Sequence, residues 1–148
     1  IEDVTSSVKS YAKLKSIDIH FDTNCEEFIS KCDSSMIERA VLNLLSNAIK
    51  FCPEKEGLIT IQIFEKDDFI RTLVHDNGKG INPNDFEAIF EKFYQSTNQN
   101  IKKPVGSGLG LAICKQIIDH HKGKIWAQAS VKGACIVFTL PKNKFTEN

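Results

Sequence analysis

Apolar and polar positions recur along this chain with two different periods, and each change of period marks a new element. Residues 3–15 carry Val4, Val8, Tyr11 and Leu14 at helical spacing, which predicts a helix with those four on one side. Residues 17–21, "IDIHF", set Ile17, Ile19 and Phe21 against polar neighbours, the two-residue period of a strand. A short strand around residues 28–30 is expected next. Helical spacing then runs to about Phe51. Asp33 or Ser35 can cap that helix, Ser35 with Glu38 as a capping box, and Pro53 stops it.

"LITIQIFE" and "DFIRTLVHD" both alternate, with a hairpin turn at residues 66–68. "NPNDFEAIFEKF" predicts a short helix, capped by Asn82 with Pro83 at its first position. Residues 94–105 are polar and aperiodic, and a loop of that length tends to be a functional lid. A helix is expected from about Ser107 to His121, closed by Gly123. "KIWAQAS" and "ACIVFTL" then pair across a turn at Lys132 and Gly133. This order favours an α+β fold, a two-layer sandwich with one mixed, mostly antiparallel sheet and helices on one face.

Composition adds exclusions. The chain has 148 residues, enough for one domain with a real core. Nineteen basic residues balance nineteen acidic ones, so no nucleic-acid partner is expected. No apolar run approaches the roughly 20 residues that span a bilayer. The opening "IEDVTSSVKS" has neither Met nor an apolar signal segment, so a piece of a longer chain is expected. The five cysteines lack paired metal or redox spacing and read as free, mostly buried thiols in a reducing, cytoplasmic setting.

Three stretches carry candidate chemistry. In "ERAVLNLLSNAIKF", Ile37, Val41, Leu44 and Ala48 form a core stripe. Asn43, Asn47 and Lys50 form a second stripe about 100° away. That stripe is either a solvated face or a set of amide oxygens and an ammonium presented to a phosphate and a metal. "DNGKG", residues 76–80, follows a strand. It is either a hairpin turn or a loop whose carboxylate accepts from an adenine amino group, where guanine would present a carbonyl. "GSGLGLAI" is GxGxG, so it fails the GxGxxG dinucleotide pattern and lacks the Lys-Ser/Thr of a P-loop. A glycine turn feeding a helix N-terminus still presents free N–H groups to an anion.

Taken in order, these stretches resemble the ATP-binding catalytic domain of sensor histidine kinases. That domain belongs to the superfamily of type II topoisomerase, heat-shock chaperone and mismatch-repair ATPases, with the Bergerat fold. "NLLSNAIKF" is similar to the N box, "DNGKG" to the G1 box, "IFEKFYQ" to the F box and "GSGLGLAI" to the G2 box. The resemblance covers nearly the whole chain and implies ATP and Mg²⁺ as ligands. It implies that Asn47 coordinates Mg²⁺, that Asn43 supports the phosphates and that Lys50 meets phosphate oxygens. Phe51 is implied near the adenine, Asp76 on its amino group, and Gly78, Gly80 and Ile81 around it. Phe90, Phe93 and Tyr94 are implied at the base of a lid over about residues 94–107, with Lys92 and Gln95 reaching toward the triphosphate. Gly106, Ser107, Gly108, Leu109 and Gly110 are implied around the phosphates, and Thr139 near the adenine. Ala134 departs from the Thr or Ser common after the preceding glycine.

The ATPase relatives carry a glutamate where this chain has Asn43. An amide has no useful basicity, so water activation is expected to be poor and transfer to an imidazole is favoured. Asn43, Asn47 and Lys50 are thus the implied catalytic set, acting by position and charge. The acceptor is expected on a separate histidine-bearing dimerisation domain, because His20, His75, His120 and His121 lack the surrounding sequence of a phosphoacceptor. The whole protein is expected to be a homodimer that serves a response regulator, with a membrane anchor as one option, and this piece a monomer. A hydrolytic ATPase of the same fold and a degenerate nucleotide-binding module are the alternatives.

Overall fold

The computed structural model describes residues 1–24, 30–94 and 108–143. Helix α1 (Glu2–Leu14) leads into strand β1 (Ile17–Thr23), helix α2 (Ser34–Phe51) and the hairpin of β2 (Gly57–Lys66) with β3 (Phe69–Asp76). Two 3₁₀ turns, Pro83–Asp85 and Ala88–Phe90, precede helix α3 (Gly110–His120). Strands β4 (Ile125–Gln128) and β5 (Cys135–Pro141) follow. The sheet runs in the order β1-β2-β3-β5-β4. Among the described residues only β1 and β2 pair in parallel, and α2 supplies the crossover that a parallel pair needs. The expected α+β sandwich is therefore the fold that forms.

Alternation decides what the sheet buries. Ile59, Ile61 and Ile63 of β2, Ile70, Thr72 and Val74 of β3, and Ile136, Phe138 and Leu140 of β5 share one face, and all are buried. The apolar side of α2 (Ile37, Val41, Leu44, Leu45 and Ala48) belongs to the same core. Asp76 lies in the same row as Val74, so the strand's period carries a carboxylate to the helix-facing side. On the other face the Arg71 guanidinium sits 5.2 Å from the Trp126 ring and 6.0 Å from the Phe64 ring, covering the strands between them.

Helices α2 and α3 are joined along their length. The Cys114 thiol donates to the Ala40 carbonyl at 3.3 Å, and burial pushes that thiol up to about 12. At the far end His121 links the two. Its Nε2 accepts from the Asp33 N–H at 3.0 Å, which leaves Nδ1 to donate to the Ile117 carbonyl at 2.7 Å and fixes the neutral tautomer.

Four local expectations need correction. In α1 the buried positions are Val4, Thr5 and Ala12, whereas Tyr11 is 52% and Leu14 86% exposed. Small Ala12 allows close packing, and the stripe follows it rather than the larger side chains. The helix expected after Asn82 is two 3₁₀ turns, in which Phe86 N–H bonds Pro83 O and Glu91 N–H bonds Ala88 O. Helix α3 begins at Gly110, because Gly108 is part of a bend that accepts from Phe93 N–H at 3.0 Å. The thiols are less uniformly buried than expected: Cys114 and Cys135 are buried, Cys52 half-buried and Cys32 exposed. In the strand expected at 28–30, only Ser30 lies within the described residues, and it is outside any strand.

Of the two candidate caps, Asp33 is the one used: its carboxylate accepts from Met36 N–H at 3.1 Å. Asp33→Ala should therefore lower stability by about 1 kcal/mol in urea unfolding, with Ser35→Ala within about 0.5 kcal/mol of the parent. Equal losses in the two variants would return the cap to Ser35.

Candidate functional site

The site begins with Asp76, the last residue of β3, which is 5% exposed. A buried carboxylate is costly unless donors meet it. Here Gly78 N–H donates to Oδ1 at 2.9 Å and Ala134 N–H donates to the same oxygen at 3.3 Å. Both donors fall on Oδ1, so Oδ2 receives no hydrogen bond among the described residues. Burial raises the Asp76 carboxyl above its ordinary 3.8, while the two N–H groups and nearby His75 pull the other way. Burial first and then the Asp76 charge raise the neighbouring thiols of Cys52 and Cys135.

Two glycines make this arrangement possible. A Cβ on Gly78 would strike the Phe51 carbonyl, so the loop after β3 lies directly on the C-terminal end of α2. Gly133 has φ +80, and a Cβ there would strike the Asp76 carbonyl. Asn77 fastens the loop from outside, accepting from Leu58 N–H and donating to Glu56 O, both at 2.8 Å. Asn77, Gly133 and Ala134 were not singled out by sequence as site residues. The Asn-Gly pair suggested a hairpin, and the role of the 133–134 backbone depends on a contact 58 positions distant in sequence.

From Phe51 the candidate line runs back along α2. Lys50 is exposed, with Nζ 5.6 Å from the Phe51 ring centroid. Asn47 and Asn43 are half-buried. Asn43 Nδ2 donates to the Gly110 carbonyl at 3.5 Å, a long bond, and Asn43 also bonds the Cys114 thiol. One end of the line therefore meets the loop carrying Asp76, and the other meets the first turn of α3, about 12 Å away along the helix axis.

That first turn has no side-chain cap and no acidic residue. A Cβ on Gly110 would meet nothing within 4 Å among the described residues. Among the described residues there is no packing reason for a glycine there, and the N–H groups of a first helical turn have no partner within the helix.

The remaining candidates divide. Gly80 lies against Gly133, Ile81 packs on the core, and Phe90 is buried within it. Phe93 is bonded to Gly108 beside α3, and Lys92 is exposed. Tyr94 is half-buried; burial and then the Asp85 carboxylate, to which it is hydrogen-bonded, raise its phenol. Leu109 is the residue before α3. Gln95, Gly106 and Ser107 lie outside the described residues. Thr139 is not brought to the site: it pairs with Arg71, on the strand row opposite to Asp76 and about 17 Å along the strand from it. Its hydroxyl accepts from Lys124 N–H at 3.1 Å and so serves the β4–β5 hairpin.

Residues 32–144 match the histidine kinase-, DNA gyrase B- and HSP90-like ATPase family. The chain belongs to this family. Among curated members of the family, the sensor histidine kinase WalK of Bacillus subtilis is 38% identical over 119 residues. That match covers 78% of this chain and 19% of WalK, so the chain spans about a fifth of that relative. The nucleotide-free catalytic domain of the histidine kinase ThkA superposes with a TM-score of 0.84 at 30% identity, covering 97% of this chain and 92% of that domain. Full-length ShkA in complex with AMPPNP gives 0.83 at 26% identity, covering 97% of this chain and 29% of ShkA. ThkA in complex with the response regulator protein TrrA gives 0.81 at 29% identity, covering 96% of this chain and 39% of the kinase.

Glycine substitutions test this geometry without any ligand. Gly78→Ala should cost about 1–3 kcal/mol in urea unfolding, since the added methyl meets backbone. Gly110→Ala should leave stability unchanged or raise it by up to about 1 kcal/mol, since the methyl meets nothing among the described residues and alanine favours helix. A pH profile tests Asp76. Its raised folded-state value means that the folded chain holds the proton more tightly than the unfolded one. This carboxylate therefore costs stability as pH rises from 3.8 through the folded value. Asp76→Asn should flatten the stability profile across that window, and an unchanged profile would remove the burial argument.

Proposed function

We propose that this chain, as one domain with a lid over about residues 94–107, binds Mg-ATP and donates its γ-phosphoryl group to a histidine on a separate dimerisation domain of a sensor histidine kinase. The observation that carries the proposal is the line along α2, which joins a buried carboxylate at one end to an uncapped helix N-terminus at the other. Asp76 Oδ2 accepts from the adenine amino group, and the pinned Oδ1 keeps that oxygen in place. Guanine would set a carbonyl against the carboxylate, so one side chain prefers ATP to GTP. The first turn of α3 receives phosphate oxygens on its N–H groups, in the space that Gly110 leaves. Lys50 adds a positive charge beside them.

Magnesium takes oxygen ligands and keeps most of its waters. The half-buried Asn47 amide fits that requirement, and among the described residues no group of three or more His, Cys, Asp or Glu offers a fuller cage. The ion, when bound, would neutralise phosphate charge. Asn43 bears on the choice between transfer and hydrolysis. Its amide is engaged with Gly110 and Cys114 and lacks the basicity to activate water. A neutral imidazole needs no such base to attack phosphorus, and ADP is the leaving group.

The acceptor lies outside this chain in the proposal. His75 and His121 engage their ring nitrogens within the fold. Among the described residues no helix is long and apolar enough to cross a membrane. A membrane anchor, dimerisation through the histidine-bearing domain and service to a response regulator are proposed for the whole protein.

Isothermal titration of Mg-ATP tests binding. Asp76→Asn, which turns a donor toward another donor, should weaken affinity by roughly 30-fold or more. Affinity of the parent should also fall as pH drops through the raised Asp76 value. Equal affinity in parent and variant would sink the assignment. Radiolabelled ATP with a histidine-bearing dimerisation domain added in trans should label that domain and not this chain, with little steady-state phosphate release. Sustained phosphate release without labelling would favour a hydrolase.

A further inference from the structure

The β4–β5 turn holds one of the two donors on Asp76, and something must hold the turn. Residues 129–134 connect two strands at the sheet edge, and Ser130, Val131 and Lys132 are exposed. One polar side chain, His75, reaches this turn from β3. His75 Nε2 lies 2.7 Å from the Lys132 carbonyl and 2.8 Å from Ser130 Oγ, and Ser130 Oγ donates to the same carbonyl at 3.0 Å. A carbonyl only accepts, so the 2.7 Å separation puts the imidazole proton on Nε2. The carbonyl thus receives two donors, one from the strand and one from the turn itself.

That carbonyl belongs to the peptide unit that enters Gly133. Gly133 rests on the Asp76 main chain, and the next amide, Ala134 N–H, donates to Asp76 Oδ1. Ala134 O in turn accepts from Asp76 N–H at 3.0 Å. His75 precedes Asp76 on β3 and points to the opposite face of the sheet, so its side chain is not a ligand contact. It reaches around the strand end and clamps the turn that holds its neighbour.

We infer that His75, with Ser130, is a positioning residue for nucleotide recognition: it fixes the 130–133 turn so that Ala134 N–H stays on Asp76 Oδ1 and Oδ2 stays aimed at the base. The inference rests on the reading of Asp76 as the partner of an adenine amino group. A residue that only supported the fold would lower affinity for every nucleotide alike. A residue that aims the carboxylate controls the difference between nucleotides, because the carboxylate favours an amino group and repels a carbonyl. Loosening the turn lets Asp76 rotate, so ATP loses a directed bond while GTP loses part of a repulsion.

The test has two arms on the chain as it stands. In the first, amide hydrogen exchange is followed by NMR without nucleotide in the parent, His75→Ala and His75→Gln. His75→Ala should speed exchange at Ala134 and Gly78 while Ile61 and Val74 keep their protection, and His75→Gln, which retains a side-chain N–H donor, should restore much of it. In the second, titrations with Mg-ATP and Mg-GTP give the affinity ratio. His75→Ala should weaken ATP by roughly three- to tenfold and shrink the ATP-to-GTP ratio, with thermal midpoint nearly unchanged. Unchanged exchange at Ala134, or equal losses for ATP and GTP, would overturn the positioning role. A parent chain that fails to bind ATP would overturn the proposed function, and the exchange arm would still decide whether His75 holds the turn.

Discussion

Putting a carboxylate on the core side of a sheet costs several kcal/mol unless polar groups are brought to it. The structure around Asp76 is organised by that requirement. The two donors come from opposite directions in the chain, one just after β3 and one just before β5. Each needs a backbone closer than a side chain would permit. Gly78 must lie on the end of α2, and Gly133 must lie on Asp76 itself. The helix carrying Asn43, Asn47 and Lys50 is therefore registered against the carboxylate by contact, at the end where Phe51 meets Gly78. Clamping at the other end, through Asn43 on Gly110 and His121 on Asp33, leaves α2 little freedom to slide.

The same residues explain the division between rigid and open parts. Donors on Oδ1 are spaced by the fold and need no ligand. The first turn of α3 is different, since it has no side-chain cap and, among the described residues, nothing stands where a Cβ on its glycine would go. One end of the site is finished by the protein, and the other is where the proposed function puts the phosphates. Such an asymmetry suits a ligand with an aromatic base at one end and negative charge at the other.

Much of this was legible in sequence because it rests on period and on local chemistry. The alternation in "DFIRTLVHD" gave β3 and put Asp76 in phase with Val74. The i, i+4, i+7 spacing gave the amide stripe on α2 beside its core stripe. What failed was whatever depended on a partner distant in the chain. Thr139 looked suitable by type and lies at the wrong end of its strand, because register is set by pairing with β3. Ala134 looked like a mere departure at a turn, yet it contributes through its main chain, where residue type carries little signal. Tyr11 and Leu14 followed helical spacing and still lie outside the core, since α1 turns its small Ala12 inward.

The open space beside Gly110 has a consequence for descent. Gly78 and Gly133 are held by backbone of the same chain, so replacing either destabilises the fold whether or not a ligand is bound. Among the described residues nothing lies where a Cβ on Gly110 would go, and helix propensity favours its replacement. A lineage that abandoned its ligand would be free to drift to alanine at that one position while the other two glycines stayed. On the proposed function, the three glycines together would record whether the pocket is still in use, a history written in which of them has been allowed to acquire a methyl group.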